Sequence, residues 1–297
     1  MKRIAVFDLG TNTFNLLIAD VLENSFRIIH SEKDGVALGM GGINEGLITE
    51  EAMQRGLCTL ARFYKTCCQF GVKDVRAFGT SALRGASNSA QFLKSVRDDL
   101  GINIQIISGD EEAEMIYNGV KWSYGFDEPA VIMDIGGGST EFVFANSKGI
   151  EDKISLNIGV SRIFQQFQFN DPLSSEDILL ILNWLDGESK GFFDDKKMET
   201  LIGASGSFET FYELIHKAPF PNKSNAIEVP FTQLRINLDV IIASTQAERN
   251  ENPWIIPIRK KMAAIAALKT NWIIDKLDVS RILISPYSLK EGALRKF

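Results

Sequence analysis

Two stretches of this chain repeat one another, and the repeat limits the folds open to it more than any other feature. RIAVFDLGTNTFNLLI (residues 3–18) runs strand, Asp, apolar residue, Gly, small polar cluster, strand. AVIMDIGGGSTEFVF (residues 130–144) does the same. Aligning Asp8 with Asp134 brings Gly10 onto Gly136. A second pair follows: Phe78-Gly79-Thr80-Ser81-Ala82 and Ile202-Gly203-Ala204-Ser205-Gly206 each come after a strand-like run. Each half therefore carries an Asp–Gly hairpin first and a Gly–small–Ser turn later. Such an internal duplication predicts two similar α/β domains facing each other across a cleft.

Apolar periodicity predicts strands near 3–9, 14–22, 26–32, 75–79 and 103–107, then near 130–134, 140–145, 150–158, 200–204 and 280–285. Thr49 reads as an N-cap, with Glu50 and Glu51 in the first turn of a helix that stops at Gly71. Ser87 or Asn88 opens a second helix that ends at Gly101. Further helices are expected near 175–187, 206–217, 231–244 and 258–276. Turn formers at 122–129 divide the chain into domains 1–124 and 125–297.

The bulk properties exclude several classes. The 297 residues are 45% hydrophobic and 24% charged, which suits a globular protein with a sizeable core. No apolar run reaches the ~18 residues of a membrane span, and MKRIAVFDLG reads as a first strand, not a signal peptide. Cys58, Cys67 and Cys68 share one helix-like segment and form no disulfide framework or metal pattern, so a reducing cytoplasm is expected. A net charge of −6 argues against binding a nucleic-acid polymer, while leaving room for one local anion site. His30 and His216 stand apart from other metal-ligating or nucleophilic residues.

The hairpin turns carry more than a turn needs. An ordinary hairpin uses about two residues of positive φ, whereas the second turn holds three glycines between Asp134 and Glu141. Successive backbone N–H groups in a tight turn form a nest for anions, and glycine lets a phosphate approach. Thr11, Asn12, Thr13, Ser139 and Thr140 add donors. Two such turns facing each other would hold a phosphate chain from both sides. Asp8 and Asp134 end their strands at the loop mouths and would repel phosphate without a cation between, for which Mg²⁺ is suited. A single turn of this kind would read as a capped hairpin; two in register point to phosphate.

In Ser108-Gly109-Asp110-Glu111-Glu112, Ser108 and Glu111 match a capping box. That leaves Glu112 free to orient or deprotonate a water. Structural carboxylates also gather at helix starts, so spacing alone leaves both roles open. With Pro257 at N1, Arg259-Lys260-Lys261 would put three cations in a first helical turn. A polyanion track, pairing with Glu248 and Glu251, or solvation would each account for that. Lys196-Lys197 reads as a solvated pair, and 163–169 as core or interface.

Taken together, these residues resemble the exopolyphosphatase / guanosine pentaphosphate phosphohydrolase family, within the actin-like ATPase and sugar-kinase superfamily. The resemblance covers nearly the whole chain. It implies two ribonuclease-H-like (actin-like ATPase) domains, with mixed sheets flanked by helices, facing across a cleft. DLGTNTFNLLIAD looks like the family's first phosphate loop, implying Gly10, Thr11, Asn12 and Thr13 as substrate contacts. GTSALRGA looks like the second motif, with Thr80 and Ser81 on substrate and Arg84 as the phosphate-contacting arginine. SGDEEAE is similar to the catalytic-glutamate motif, with Glu112 as its glutamate. DIGGGSTEF is similar to the second phosphate loop, with Gly136, Gly137, Gly138, Ser139 and Thr140 on substrate, and Asp134, Glu141 and Asp8 on the metal and water side. Gly159-Val160-Ser161-Arg162 and Ser205-Gly206-Ser207 sit at further motifs.

The resemblance implies Mg²⁺-dependent release of the terminal phosphate from inorganic polyphosphate by a cytoplasmic homodimer. Guanosine pentaphosphate hydrolysis and a non-catalytic alarmone or polyphosphate sensor are the alternatives. A nucleotide-dependent kinase of the same superfold and an actin-like filament are more distant rivals. Four departures bear on substrate preference. Lys290-Glu291-Gly292 stands for Arg-Glu-Gly, Ser207 for Thr, 258–262 lacks an acid, and Ala37-Leu38-Gly39 lacks an Arg. Longer relatives append a C-terminal helical region, so shorter substrates are expected of this two-domain form.

Overall fold

The computed structural model describes residues 2–295. The first half forms β1 (Lys2–Leu9), β2 (Phe14–Val21), β3 (Phe26–Asp34), α1 (Glu50–Gln69), β4 (Asp74–Gly79), α2 (Ser81–Gly85), α3 (Ser89–Leu100), β5 (Ile104–Ile106) and α4 (Gly109–Val120). The second forms β6 (Ala130–Ile135), β7 (Thr140–Asn146), β8 (Gly149–Leu156), α5 (Val160–Gln166), α6 (Ser175–Ser189), β9 (Thr200–Gly203), α7 (Gly206–His216), β10 (Ile227–Val229), α8 (Phe231–Ala243), α9 (Gln246–Glu251), α10 (Ala263–Leu277), β11 (Arg281–Ile284) and α11 (Leu289–Gly292). One sheet has the order β3-β2-β1-β4-β5, the other β10-β11-β9-β6-β7-β8. Both are mixed, with the same antiparallel and parallel pairings. This is the doubled ribonuclease-H-like architecture expected.

The repeat extends to single residues. Asp8 pairs across strands with Asn15, and Asp134 with Glu141. A register shift falls between Ile18 and Ala19 in β2, and at the equivalent Phe144/Ala145 in β7. Ile107 N–H donates to Gly79 O (3.0 Å), and Ser285 N–H to Gly203 O (2.8 Å). Side chains alternate across each central strand, as strand geometry requires. Ala5, Phe7 and Leu9 fill the core of the first half, and Val131, Met133 and Ile135 that of the second. Ile4, Val6, Ala130 and Ile132 point the other way, into a third core between the two sheets.

That third core is closed by α4 and α11, and each crosses to the opposite sheet. α4 packs on β7 and β8, while α11 packs on β1 and β2. The two helices also meet each other at glycines. A Cβ on Gly119 would lie 1.9 Å from Ser288 O, and one on Gly292 would lie 1.7 Å from Met115 O. Both obstacles are backbone, so neither can turn aside.

Local signals explain most ends. Thr49 accepts from Ala52 N–H to cap α1, Asn88 stands at the N-cap of α3, and Gly101 closes α3 in the left-handed region at φ 67°. Two expectations need correction. The segment expected as a helix from 258 is a short 3₁₀ turn over Pro257–Arg259, and α10 starts only at Ala263. Arg259-Lys260-Lys261 therefore precede the helix and do not burden its N-terminus. β10 was not foreseen; it is three residues long, too short to show periodicity.

Gly119→Ala is expected to destabilise the fold by about 1–3 kcal/mol, the usual cost of overpacking. Gly187 lies in α6, and a Cβ added there would meet nothing within 4 Å. Gly187→Ala is therefore expected to stabilise by about 0.5–1 kcal/mol. Urea unfolding midpoints of the two variants test the opposite signs.

Candidate active site

The two hairpin turns close in the same way. A Cβ would lie 2.8 Å from Thr13 O at Gly10 and 2.8 Å from Ser139 O at Gly136. Gly137 and Gly138 serve a different purpose, the approach of the two lobes. A Cβ on Gly137 would lie 2.7 Å from the Asn12 amide carbon, and one on Gly138 would lie 2.5 Å from Ser81 Oγ and 2.7 Å from Thr11 Oγ1. The first loop, the second loop and the start of α2 thus meet. Ser161 Oγ donates to Asn12 Oδ1 across the gap at 2.6 Å. Thr11 Oγ1 is buried there without a hydrogen-bond partner among the described residues.

Around these loops lies a cleft of about 370 Å³. Its walls hold Asp8, Gly10, Thr11, Asn12, Thr13, Thr80, Ser81, Glu112, Asp134, Gly136, Gly137, Gly138, Ser139 and Glu141. Two residues named from the sequence lie elsewhere. Thr140 is fully buried and its hydroxyl accepts from Lys269 Nζ, so it is not presented to a ligand. Arg84 lines a separate crevice, and its guanidinium bonds Glu112, which lines the cleft.

Of the six carboxylates on the cleft wall, Asp8, Glu112, Asp134 and Glu141 are those named from the sequence. Asn15 Nδ2 donates to Asp8 at 2.9 Å, Ser288 Oγ donates to Asp134, and Ser155 Oγ donates to Glu141 at 2.7 Å. The expected capping box is formed: Ser108 N–H donates to Glu111 Oε2 at 2.8 Å, and Glu111 N–H to Ser108 Oγ at 3.1 Å. Glu112, 7% exposed, is thereby left to the cleft. Arg84 Nη1 donates to Glu112 Oε2 and to Ile107 O, both at 2.9 Å. α11 begins with the same device, Ser288 capped by Glu291, but carries Gly292 where α4 carries Glu112.

Burial pushes the Asp8 carboxyl up to about 6, against the pull of Lys290 and the Asn15 amide. Burial, with Glu141 next, raises both Glu112 and Asp134 well above the carboxylate range. Glu141 is raised by burial against its serine donors and Arg84. Six carboxyl groups face three cations, Lys33, Arg259 and Lys290, on the cleft wall. Among the described residues no three His, Cys, Asp or Glu side chains form a metal cage.

Sequence reading missed Lys269. It is fully buried in α10, donates to Thr140 Oγ1 and Ile158 O, and so ties β7 to the end of β8. Burial pushes it down to about 7. The available signal was the apolar run over residues 263–268 directly before this Lys, a pattern that marks buried helices. Of the basic run, Arg259 alone lines the cleft, with Nη1 donating to Thr210 Oγ1 at 2.9 Å and its charge beside Glu209. Glu248 is occupied in capping Thr245. Lys33 and Lys290 line the same end of the cleft.

Residues 17–296 match the Ppx/GppA phosphatase family, and the chain belongs to that family. It is 34% identical to an exopolyphosphatase from Cytophaga hutchinsonii, whose crystal structure superposes with a TM-score of 0.94 over 99% of this chain and 96% of that one. It is 32% identical to a bifunctional 3-dehydroquinate synthase/phosphatase of Fusobacterium nucleatum, covering 98% of this chain but 46% of that protein, less than half its length. Exopolyphosphatase 1 of Mycobacterium leprae is 27% identical over 98% of this chain and 88% of its own.

Because Lys269 must shed its proton more readily folded than unfolded, its burial is destabilising below about pH 7 and ceases to be so as pH rises toward its unfolded value of about 10.4. Relative to Lys269→Met, wild-type stability in chelator is expected to gain about 1 kcal/mol per pH unit between pH 7 and 9, as measured by urea unfolding of both proteins at each pH; equal pH dependence in the two would overturn it.

Proposed function

We propose that this chain is an exopolyphosphatase, a hydrolase of phosphoanhydride bonds that releases the terminal phosphate of inorganic polyphosphate. The observation that carries the reading is Glu112. It is a buried carboxylate that its helix cap does not need, held by Arg84 beside two facing glycine loops. The unpartnered Thr11 hydroxyl supports the reading, since a phosphate oxygen would satisfy it. The lobes, divided near residue 124, close on the chain end. The loop N–H groups and hydroxyls fix the terminal phosphate, and Glu112 orients a water and takes its proton as the water oxygen bonds to phosphorus. The bridging P–O bond breaks, its electron pair stays on the shortened chain, and orthophosphate leaves. The raised proton affinity of Glu112 suits a base acting near neutral pH.

Mg²⁺ is part of this proposal. The donors are all hard oxygens, the site carries excess negative charge, and Mg²⁺ takes one or two carboxylates plus waters and phosphate oxygens, without needing a protein cage. Asp134 and its cross-strand neighbour Glu141 would hold it, with Asp8 across the cleft. When bound it would neutralise charge on the transferred phosphoryl group. We extend the reading to a cytoplasmic homodimer on the family resemblance and on three unpaired cysteines. Among the described residues no helix is long and apolar enough to cross a membrane. Guanosine pentaphosphate is the second reading, favoured by Ile258 and Tyr287 in the cleft wall, which suit a nucleoside.

Phosphate release should be measured side by side from long polyphosphate, short polyphosphate, guanosine pentaphosphate and ATP. Polyphosphate is expected to be hydrolysed only with Mg²⁺ present, and chelation to stop it reversibly. Glu112→Gln is expected to lower turnover by about 10²–10⁴-fold while the chain still binds. Near-normal turnover in that variant would sink the assignment, and turnover of ATP alone would favour a kinase-like protein.

A further inference from the structure

A second opening lies behind the catalytic carboxylates. Arg84, Ser108, Gly109, Asp110, Ser155 and Asn157 line a crevice of about 350 Å³, and none of them lines the main cleft. Two side-chain pairs stand between the two spaces, each with one member on either side. Arg84 in the crevice donates to Glu112 in the cleft at 2.9 Å. Ser155 in the crevice donates to Glu141 in the cleft at 2.7 Å.

This arrangement meets a problem set by exo-hydrolysis, and the inference therefore rests on the activity proposed above. The phosphate that is cut off sits deepest, beside Glu112. The shortened chain lies between that product and the cleft mouth. If the mouth were the sole exit, the chain would have to leave before every release. We propose that orthophosphate leaves through the rear crevice, with the Arg84–Glu112 pair as its gate. Arg84 spends Nη1 on Glu112 and Ile107 O, and the rest of its five-donor fork is free of both. A guanidinium that exchanges a carboxylate for a phosphate keeps its charge paired throughout. Asp110 is the one acid on the crevice wall, and Lys153 lies 4.0 Å from it, which offsets repulsion of an anion there. The position of Arg84 behind Glu112, unexpected from the sequence, fits a residue that meets phosphate after cleavage.

Asn157 is exposed on the crevice wall and does not line the cleft. Asn157→Trp fills the crevice from outside, and Asn157→Ala serves as the control. With long polyphosphate and Mg²⁺, rapid quench counts phosphate cleaved, and a fluorescent phosphate sensor counts phosphate set free. In Asn157→Trp, first-turnover cleavage is expected within about twofold of wild type, while steady-state release falls about tenfold or more with about one equivalent of orthophosphate held on the enzyme. Asn157→Ala is expected to match wild type by both readouts. Release that keeps pace with cleavage at the wild-type rate in Asn157→Trp overturns the rear exit. So does a parallel fall in cleavage and release, which would mark the crevice as structural. A wild-type chain that frees no phosphate from polyphosphate or guanosine pentaphosphate overturns the activity itself, and the exit with it.

Discussion

The crossing of α4 and α11 is the contact on which the site depends. Gly119 lies against the Ser288 carbonyl and Gly292 against the Met115 carbonyl, so two backbones are locked at a distance no side chain permits. That lock sets two active-site groups at once. Ser288 starts α11 and its hydroxyl holds Asp134. Ser108 and Glu111 start α4 and leave Glu112 turned to the cleft. Because each helix packs on the sheet of the opposite half, the Glu112 carboxylate of one half is held against the glycine loop of the other. A shift in the crossing would move both groups together.

The backbone is repeated, but the chemistry is not. Asp8 faces the Asn15 amide where Asp134 faces the Glu141 carboxylate. α4 carries Glu112 where α11 carries Gly292. One half thus supplies a neutral partner or a bare backbone at each place where the other supplies a charge. The register of β6 and β7 is strict here, since a slip of one residue would turn Glu141 to the far face. Four carboxylates so placed repel one another, and burying them is costly unless paired. Arg84, Lys269 and Lys290 offset part of that, and burial, with Glu141 next, still raises the proton affinity of Glu112 and Asp134. The fold retains a charge imbalance that a cation and a polyanion would together relieve.

Features that depend on neighbours in sequence were legible from the chain alone. The hairpins, the Gly–small–Ser turns, the Thr49 cap and the Ser108–Glu111 box all follow from residues within a few positions of each other. Glu112 emerged by subtraction, because the cap used its neighbour. What was not legible depends on tertiary approach. Thr140 alternates with Ser139 and Glu141, and the strand pleat sends it away from the cleft to Lys269. Arg84 lies on a five-residue helix, whose direction no periodicity sets, and it reaches Glu112 from behind. The exchange of α4 and α11 between sheets has no local signature, since neither helix's own sequence says which sheet it covers.

The two lobes are joined unequally, and that decides how the cleft can open. At the crossing they share the third core, with Ile4, Val6, Ala130 and Ile132 all fully or almost fully buried. Across the loops the joint is polar: Gly41 N–H to Gln165 Oε1 at 2.7 Å, Asn44 to Arg162 O at 3.1 Å, Arg162 to Ile43 O at 3.1 Å, and Lys33 to Glu209 at 3.0 Å. Water can replace those bonds, so each contributes a net of only about 0.5–1.5 kcal/mol. Exposing the shared core has no such substitute. Any opening would therefore turn about the glycine crossing, parting the first and second loops while leaving Ser288 on Asp134.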